Sequence, residues 1–235
     1  MSTPLKLVAK KRTNATNHKR TTRSAPHTEA NVDRNDRAEP RVAVDARADR
    51  RKYFMGIAMA VRNRANCRGN RVGAIIVLNN RIISTGYNGT PENMPNCLER
   101  GCYRCDNRAH RYPSGTGYDL CICVHAEQNA LLAAARFGIP VEGSTIYTTL
   151  RPCFGCAKEL LQANVHTVYF LHRWSPNAGE DTQKTKEQEE QYYKLLLRFP
   201  GGVRQVQMRD PLEWWALSKR PPATTASDDL GMQLV

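Results

Sequence analysis

The sequence contains no run of about eighteen apolar residues, and this absence argues against a segment that spans a membrane. No apolar stretch of about 7 to 15 residues follows Met1, as a secretory signal would require. We therefore expect a cytoplasmic protein without a membrane partner, whose eight cysteines stay reduced. Disulfide bonds are the weaker interpretation of these cysteines, and metal ligation is the stronger one.

Aromatic residues are absent from residues 1–52, and acidic residues are absent before Glu29. The same segment has 14 Lys and Arg against 6 Asp and Glu, within a chain of net charge +13. Such a segment buries too little apolar surface to offset a backbone ordering cost of about 1 to 2 kcal/mol per residue. We expect disordered tails over 1–52 and 219–235, and one folded domain over 53–218.

The basic tail is open to three interpretations. It is a solvated arm without a specific partner, an organelle or nuclear targeting segment, or an arm that contacts the phosphates of nucleic acid. No apolar helical face accompanies its charges, which weakens the targeting interpretation.

Hydrophobic periodicity predicts an α/β domain with a five-stranded mixed sheet. An antiparallel hairpin turning at Asn79-Asn80 comes first, and helical crossovers then allow parallel strands, with helices on both faces of the sheet. The predicted helices cover 49–65, 125–137, 153–163 and 182–199, with a short one near Trp214 and Trp215; the predicted strands cover 72–78, 81–85, 144–150, 167–172 and 203–208. Residues 90–124 show no sustained period and are predicted to form an irregular, cross-linked insertion.

The pattern that indicates chemistry is His125-Ala126-Glu127 followed by Pro152-Cys153-Phe154-Gly155-Cys156. Two cysteines three residues apart share one face of a helix, in the first turn, where the helix dipole stabilises thiolates. One imidazole and two thiolates give a tetrahedral zinc three protein ligands and leave the fourth position open for water. Glu127 is not needed as a ligand and suits proton transfer, so the pattern predicts a catalytic zinc site.

Five segments together resemble the cytidine and deoxycytidylate deaminase superfamily and, within it, the dCMP deaminases. They are RVGAIIVLNNRIISTGYNGTP, NCLERGCYRC, LCICVHAEQNALL, STIYTTLRPCFGCAKELL and VYFLHRW, and the resemblance extends from Tyr53 to Met208. It implies a three-layer α/β/α cytidine-deaminase-like fold and a zinc-dependent hydrolase that converts dCMP to dUMP and ammonia for thymidylate synthesis.

The resemblance also implies roles for individual residues. His125, Cys153 and Cys156 would hold the catalytic zinc, while Glu127 would move protons from water to the ring N3 and to the leaving amine. Asn88 matches a position that approaches the sugar, although it equally suits a turn at the end of a strand.

The resemblance also extends to Trp174 and Arg136. Trp174 stands where relatives commonly have a tyrosine near the substrate phosphate. Arg136 matches an arginine linked to effector binding or subunit contact, and it could equally be a partner of the helix dipole.

Some superfamily members carry a second, structural zinc at positions equivalent to Cys67 and Cys97. Cys102, Cys105, Cys121 and Cys123 add further soft ligands, enough for one four-cysteine site with two cysteines left over. We expect such a zinc to tie down the insertion at 90–124.

Competing functions remain open from the sequence. A deaminase acting on RNA or single-stranded DNA is the main alternative, but the positive charge lies mostly outside the predicted domain. A non-catalytic zinc protein would have no need for Glu127. The resemblance further implies a homo-oligomer, often a hexamer, with dCTP and dTTP as effectors.

Overall fold

The computed structural model describes residues 47–112, 117–175 and 183–216. The tail predicted over 219–235, and all but the last few residues of the tail predicted over 1–52, lie outside this described part. The helices are α1 (Arg50–Arg62), α2 (Tyr103–Asp106), α3 (Ala126–Arg136), α4 (Phe154–Gln162) and α5 (Gln183–Leu196); the strands are β1 (Gly73–Leu78), β2 (Arg81–Tyr87), β3 (Thr145–Leu150), β4 (Thr167–His172) and β5 (Val203–Gln205).

The five strands form one mixed sheet in the order β2-β1-β3-β4-β5. β1 pairs antiparallel with both β2 and β3, whereas β3, β4 and β5 are parallel to one another. At the turn between β1 and β2, Asn79 and Asn80 have φ values of 49° and 62°. Two successive left-handed residues match the twist of a tight hairpin, and asparagine tolerates that conformation well. The predicted mixed sheet is confirmed.

Apolar side chains of alternating strand positions fill a core on each face of the sheet. On one face Ile75 and Val77 pack with Phe54, Met55 and Ala58 of α1. On the other face the core combines strand residues with α3, α4 and α5, and its members include Ala74, Ile76, Ile146, Ala130, Leu160 and Tyr192. The helices therefore lie on both faces, which confirms the three-layer arrangement.

The element ends differ from the predictions in several places. α1 begins at Arg50, three residues before the predicted start of the domain, because the Asp49 carboxylate caps it by accepting from the backbone N–H of Arg51 at 2.8 Å. β5 ends at Gln205 and not at Met208. The predicted terminal helix is one 3-10 turn, Glu213–Trp215.

The insertion contains α2 and two short 3-10 turns, Cys97–Glu99 and Tyr118–Leu120. At its base an isolated antiparallel bridge joins Gly89 to Val124, with N–H to O distances of 3.3 and 2.9 Å. Within the described part of the chain, no helix has the length and apolar character needed to cross a bilayer.

Candidate active site

The first turns of α3 and α4 meet beside the end of β3, and this meeting point brings the predicted zinc ligands together. His125 is the N-cap residue of α3, and Cys153 is the N-cap residue of α4. The His125 Nδ1 atom lies 3.3 Å from Cys156 Sγ and 3.4 Å from Cys153 Sγ. A tetrahedral zinc with bonds of about 2.0 Å to nitrogen and 2.3 Å to sulfur separates these atoms by about 3.5 Å. The donor types and their spacing therefore fit zinc.

The two helices that carry the ligands are fastened to each other by Gln128. Its Oε1 accepts from the backbone N–H of His125 at 2.9 Å, and its Nε2 donates to Glu159 Oε1 of α4 at 2.9 Å. The Cys156 thiol and the His125 ring hydrogen-bond to Cys153 and lower the pKa of its thiol to about 4. A thiolate is the form of cysteine that binds metal.

Glu127 is buried in the first turn of α3, with 4% of its surface exposed. Burial raises the pKa of its carboxyl above 4.5, because a charged group loses hydration there. Its Oε1 lies 2.9 Å from the hydroxyl of Thr148 on β3, and that hydroxyl also lies 3.1 Å from the Leu150 carbonyl. The carboxyl thus has a fixed position and a partner beside the three candidate ligands.

One pocket has His125, Glu127 and Cys153 in its wall together with two other residues predicted to bind substrate, Asn88 and Trp174. The Asn88 Oδ1 accepts from the Val72 N–H at 2.7 Å, and its Nδ2 donates to the Asn70 carbonyl at 2.8 Å. The Asn88 side chain therefore holds the backbone of the residues that directly precede β1. Each amide atom keeps one further hydrogen-bonding position.

Trp174 follows β4, and its indole meets the ring of Tyr192 edge to face at 5.3 Å. Its carbonyl accepts from both Nε and Nη2 of Arg151. Arg136 lies apart from this pocket at the end of α3, where it forms an exposed ion pair with Glu92 at 3.4 Å. Arg136 is thus not placed among the residues that line the candidate active site.

All six remaining cysteines form two overlapping groups of four, and four of them line the same pocket: Cys67, Cys105, Cys121 and Cys123. Cys67, Cys97, Cys105 and Cys123 form the first group, and Cys102, Cys105, Cys121 and Cys123 form the second. The structure therefore joins all six of the predicted candidates into one cluster.

Several pocket residues had not been identified from the sequence. The pocket wall includes Arg104, Arg108, Tyr118 and Arg151. The buried Thr148 is not part of that wall, but it contacts the catalytic candidate directly. Arg151 immediately precedes the Pro-Cys-x-x-Cys motif, which is the one local signal for it. Thr148 lies on a strand whose sequence is typical of a buried core, so no sequence pattern marks its hydroxyl as part of the site.

A family model of the cytidine and deoxycytidylate deaminase zinc-binding region matches residues 48–172. The chain belongs to this family. Among its relatives, the deoxycytidylate deaminase of Schizosaccharomyces pombe is 40% identical over 118 residues, which cover 50% of this chain and 35% of that protein. The chain thus spans about a third of that relative's length.

Phage members of the family match over more of their own length. The deoxycytidylate deaminase of Mycobacterium phage D29 is 35% identical over 130 residues, covering 53% of this chain and 96% of that protein. A crystal structure of the dCMP deaminase of cyanophage S-TIM5 with dCMP and dUMP is 27% identical, with a TM-score of 0.48 and coverage of 66% and 95%.

Proposed function

We propose that this chain is a zinc-dependent deaminase that hydrolyses dCMP to dUMP and ammonia, supplying dUMP for thymidylate synthesis. The observation that carries the proposal is the position of a buried carboxylate, Glu127, beside one imidazole nitrogen and two cysteine sulfurs spaced for tetrahedral zinc. Membership of the family and relatives named deoxycytidylate deaminases support the substrate.

The metal would be held by His125 Nδ1, Cys153 Sγ and Cys156 Sγ. Bound zinc lowers the pKa of a water molecule to about 7. The Glu127 carboxylate is the group that accepts a proton from water, passes it to the ring N3 and later protonates the departing amine. The overall reaction is balanced, because one water and one dCMP give one dUMP and one ammonia.

Polar and cationic side chains in the pocket support a nucleotide over a free base. Asn88 has unused hydrogen-bonding positions for a sugar hydroxyl, and the indole of Trp174 offers a face or an N–H to the substrate. Arg104 and Arg108 border the same pocket and favour an anionic group such as a phosphate.

The test of this function compares Glu127→Gln with the wild-type chain. We expect loss of ammonia release from dCMP by about 100-fold or more, while zinc per chain is unchanged, because the carboxylate transfers protons without binding metal. Glu142→Gln, at an exposed position, is the matched control and should keep full activity. Normal turnover by Glu127→Gln would contradict the assignment.

The substrate class is tested with dCMP, CMP, deoxycytidine and a cytosine-containing oligonucleotide in parallel. Preference for dCMP is the expected result. Preference for the oligonucleotide, with activity falling steeply between about 50 and 200 mM salt, would instead favour a deaminase of RNA or single-stranded DNA.

We also propose a structural zinc at four of the six clustered cysteines, and a homo-oligomer, a hexamer in the first instance, regulated by dCTP and dTTP. Two exposed apolar side chains lie near Arg136, Leu132 on α3 and Phe137 directly after it, and they support a subunit contact there. Sedimentation of the purified chain tests the homo-oligomer, and dCMP saturation curves with and without the two triphosphates test its regulation. A monomer with unaltered curves would contradict the oligomer and the regulation.

Location in a reducing compartment such as the cytoplasm is supported by the cysteines, since none of the eight forms a disulfide and all lie in described residues. A reporter fused to residues 1–52 that accumulates in an organelle would contradict this location.

A further inference from the structure

The buried core of the insertion consists of cysteine side chains, together with Cys67, which precedes the insertion. Cys67, Cys97, Cys102, Cys105 and Cys123 form a buried cluster, and the half-buried Cys121 packs against it. No apolar side chain belongs to this cluster, among the residues that the structure describes. Thiols alone bury little apolar area, so the hydrophobic effect gives this segment little stability.

The distances between the sulfurs match metal coordination. Cys105 Sγ lies 3.8 Å from Cys67 Sγ, 3.8 Å from Cys121 Sγ and 4.0 Å from Cys123 Sγ, and Cys102 Sγ lies 3.9 Å from Cys121 Sγ. Sulfurs around a tetrahedral zinc with bonds of about 2.3 Å are about 3.8 Å apart. A disulfide would require about 2.05 Å.

The overlap of the two groups decides how many ions fit. Within each group of four, all sulfurs lie within 4.8 Å of one another, and both groups contain Cys105 and Cys123. A single tetrahedral ion uses four sulfurs and leaves two buried thiols beside it without a ligand role. Two ions that share two sulfurs use all six.

We propose that the six cysteines hold a binuclear zinc centre. Cys105 and Cys123 bridge the two ions, Cys67 and Cys97 complete the first tetrahedron, and Cys102 and Cys121 complete the second. Uptake of two Zn²⁺ by six thiols releases six protons and leaves the centre with a net charge of −2. This proposal replaces the single structural zinc on four of these cysteines by two ions on all six, and it does not depend on the deaminase activity.

The surroundings provide donors and positive charge for such a centre. The backbone N–H groups of Arg68 and Gly69 point at Cys97 Sγ and Cys67 Sγ, each at 3.3 Å. Donors of this kind stabilise metal-bound thiolates and fix their orientation.

Arg108 lies beside the same cluster, where it interacts electrostatically with Cys67 and Cys105. Its positive charge opposes the −2 of the proposed centre. An iron–sulfur cluster fits less well, because iron and sulfide would separate the thiolates further than a shared single ion does.

The first measurement is the number of metal ions per chain in the full-length protein, purified under reducing conditions and counted by native mass spectrometry and elemental analysis. We expect three zinc ions, one at the active site and two in the cluster. Two or one per chain, or iron in place of zinc, would overturn the proposal.

Variants separate the cluster from the active site. Cys153→Ser with Cys156→Ser should retain two ions, whatever the fate of the deaminase proposal. Cys102→Ser with Cys121→Ser, and as a matched pair Cys67→Ser with Cys97→Ser, should each retain two, one in the cluster and one at the active site. A cluster pair that still binds three ions would contradict the ligand assignment.

A second measurement needs no variant and applies even if the cysteine variants fail to fold. After replacement of zinc by cadmium-113, nuclear magnetic resonance of the wild-type chain should show two signals from four-sulfur sites, coupled to each other through shared thiolates. A single four-sulfur signal, or two without coupling, would exclude the bridged centre.

Discussion

The Thr148 hydroxyl has one proton and two acceptors within reach, the Glu127 carboxylate and the Leu150 carbonyl. When Glu127 is charged, the hydroxyl donates to it. When Glu127 holds a proton, the hydroxyl can turn to Leu150 and accept from Glu127 through its own oxygen. One small side chain can thus partner both protonation states of the Glu127 carboxyl, as the proposed proton transfer requires, without moving the carboxyl.

Thr148→Val tests this positioning role, since valine keeps the shape and loses the hydroxyl. We expect kcat for dCMP to fall roughly tenfold, the value of about one hydrogen bond, with KM little changed. Thr148→Ser should restore most of kcat. If valine at this position leaves kcat at the wild-type value, or if serine fails to rescue it, the hydroxyl has no such role.

At the scale of elements, α3 approaches β2 more closely than ordinary side chains would permit. The buried face of α3 consists of small residues, Ala126, Ala130 and Ala134 among them. Opposite them a Cβ on Gly86 would lie 2.2 Å from the Ala126 carbonyl oxygen and 2.4 Å from the Ala130 nitrogen. The absence of a side chain at Gly86 therefore sets the position of the helix that begins with His125.

Gly86→Ala should displace α3 and with it the candidate ligand and the carboxylate. We expect a loss of about 1 to 3 kcal/mol in unfolding free energy and at least a tenfold loss of kcat. Gly56→Ala is the matched control, because a Cβ there meets nothing within 4 Å and alanine favours the helix by about 0.5 to 1 kcal/mol. Denaturation curves and steady-state kinetics of both variants test this expectation. Equal unfolding free energy and equal kcat of the two variants would contradict it.

The hydrophobic periodicity of the sequence predicts most helices and strands, but it does not predict which side chains of different elements contact one another. The apolar run in 72–78 and the alternation in 81–85 predict an antiparallel hairpin, and the helical crossovers predict parallel pairing of the later strands; the structure confirms the sheet. The spacing of His125, Cys153 and Cys156 predicts a shared metal, and the structure brings their donor atoms together. The role of Thr148 and the sharing of Cys105 depend on three-dimensional packing between distant segments, which spacing along the chain does not encode.

At the scale of the whole molecule, a buried ion pair joins residues 148 positions apart. The Arg62 guanidinium at the end of α1 donates to both carboxylate oxygens of Asp210, each at 2.7 Å, and the two side chains are 1% exposed. His172 of β4 lies 2.6 Å from the same carboxylate. Burial alone would raise the pKa of Asp210, but the hydrogen bonds from Arg62 and His172 outweigh it and hold that pKa below 3.8.

Asp210→Asn should destabilise the fold by about 3 to 5 kcal/mol at pH 7, because Arg62 is left buried without a counter-charge. A carboxyl whose pKa is lowered by folding contributes stability that is complete above its ordinary value of 3.8 and is lost as the pH falls below it. The wild-type chain should therefore lose more unfolding free energy than the variant between about pH 4 and pH 2.

Urea denaturation at several pH values measures both effects. Glu190→Gln is the control, since its ion pair with Lys194 is exposed and should change stability by less than about 0.5 kcal/mol. Parallel curves for the wild type and Asp210→Asn below pH 4 would contradict the assignment of the acid-sensitive group.

The bridge between Gly89 and Val124 closes the insertion at its neck, and the residues next to that neck are Asn88 and His125, which face the pocket. The insertion also supplies Arg104, Arg108 and Tyr118 to the pocket wall, so a change of length inside it alters the pocket as well. A change at the neck shifts two walls of the pocket together. Exchange of the insertion between related chains should therefore exchange part of the pocket wall, and with it the contacts that a bound molecule meets.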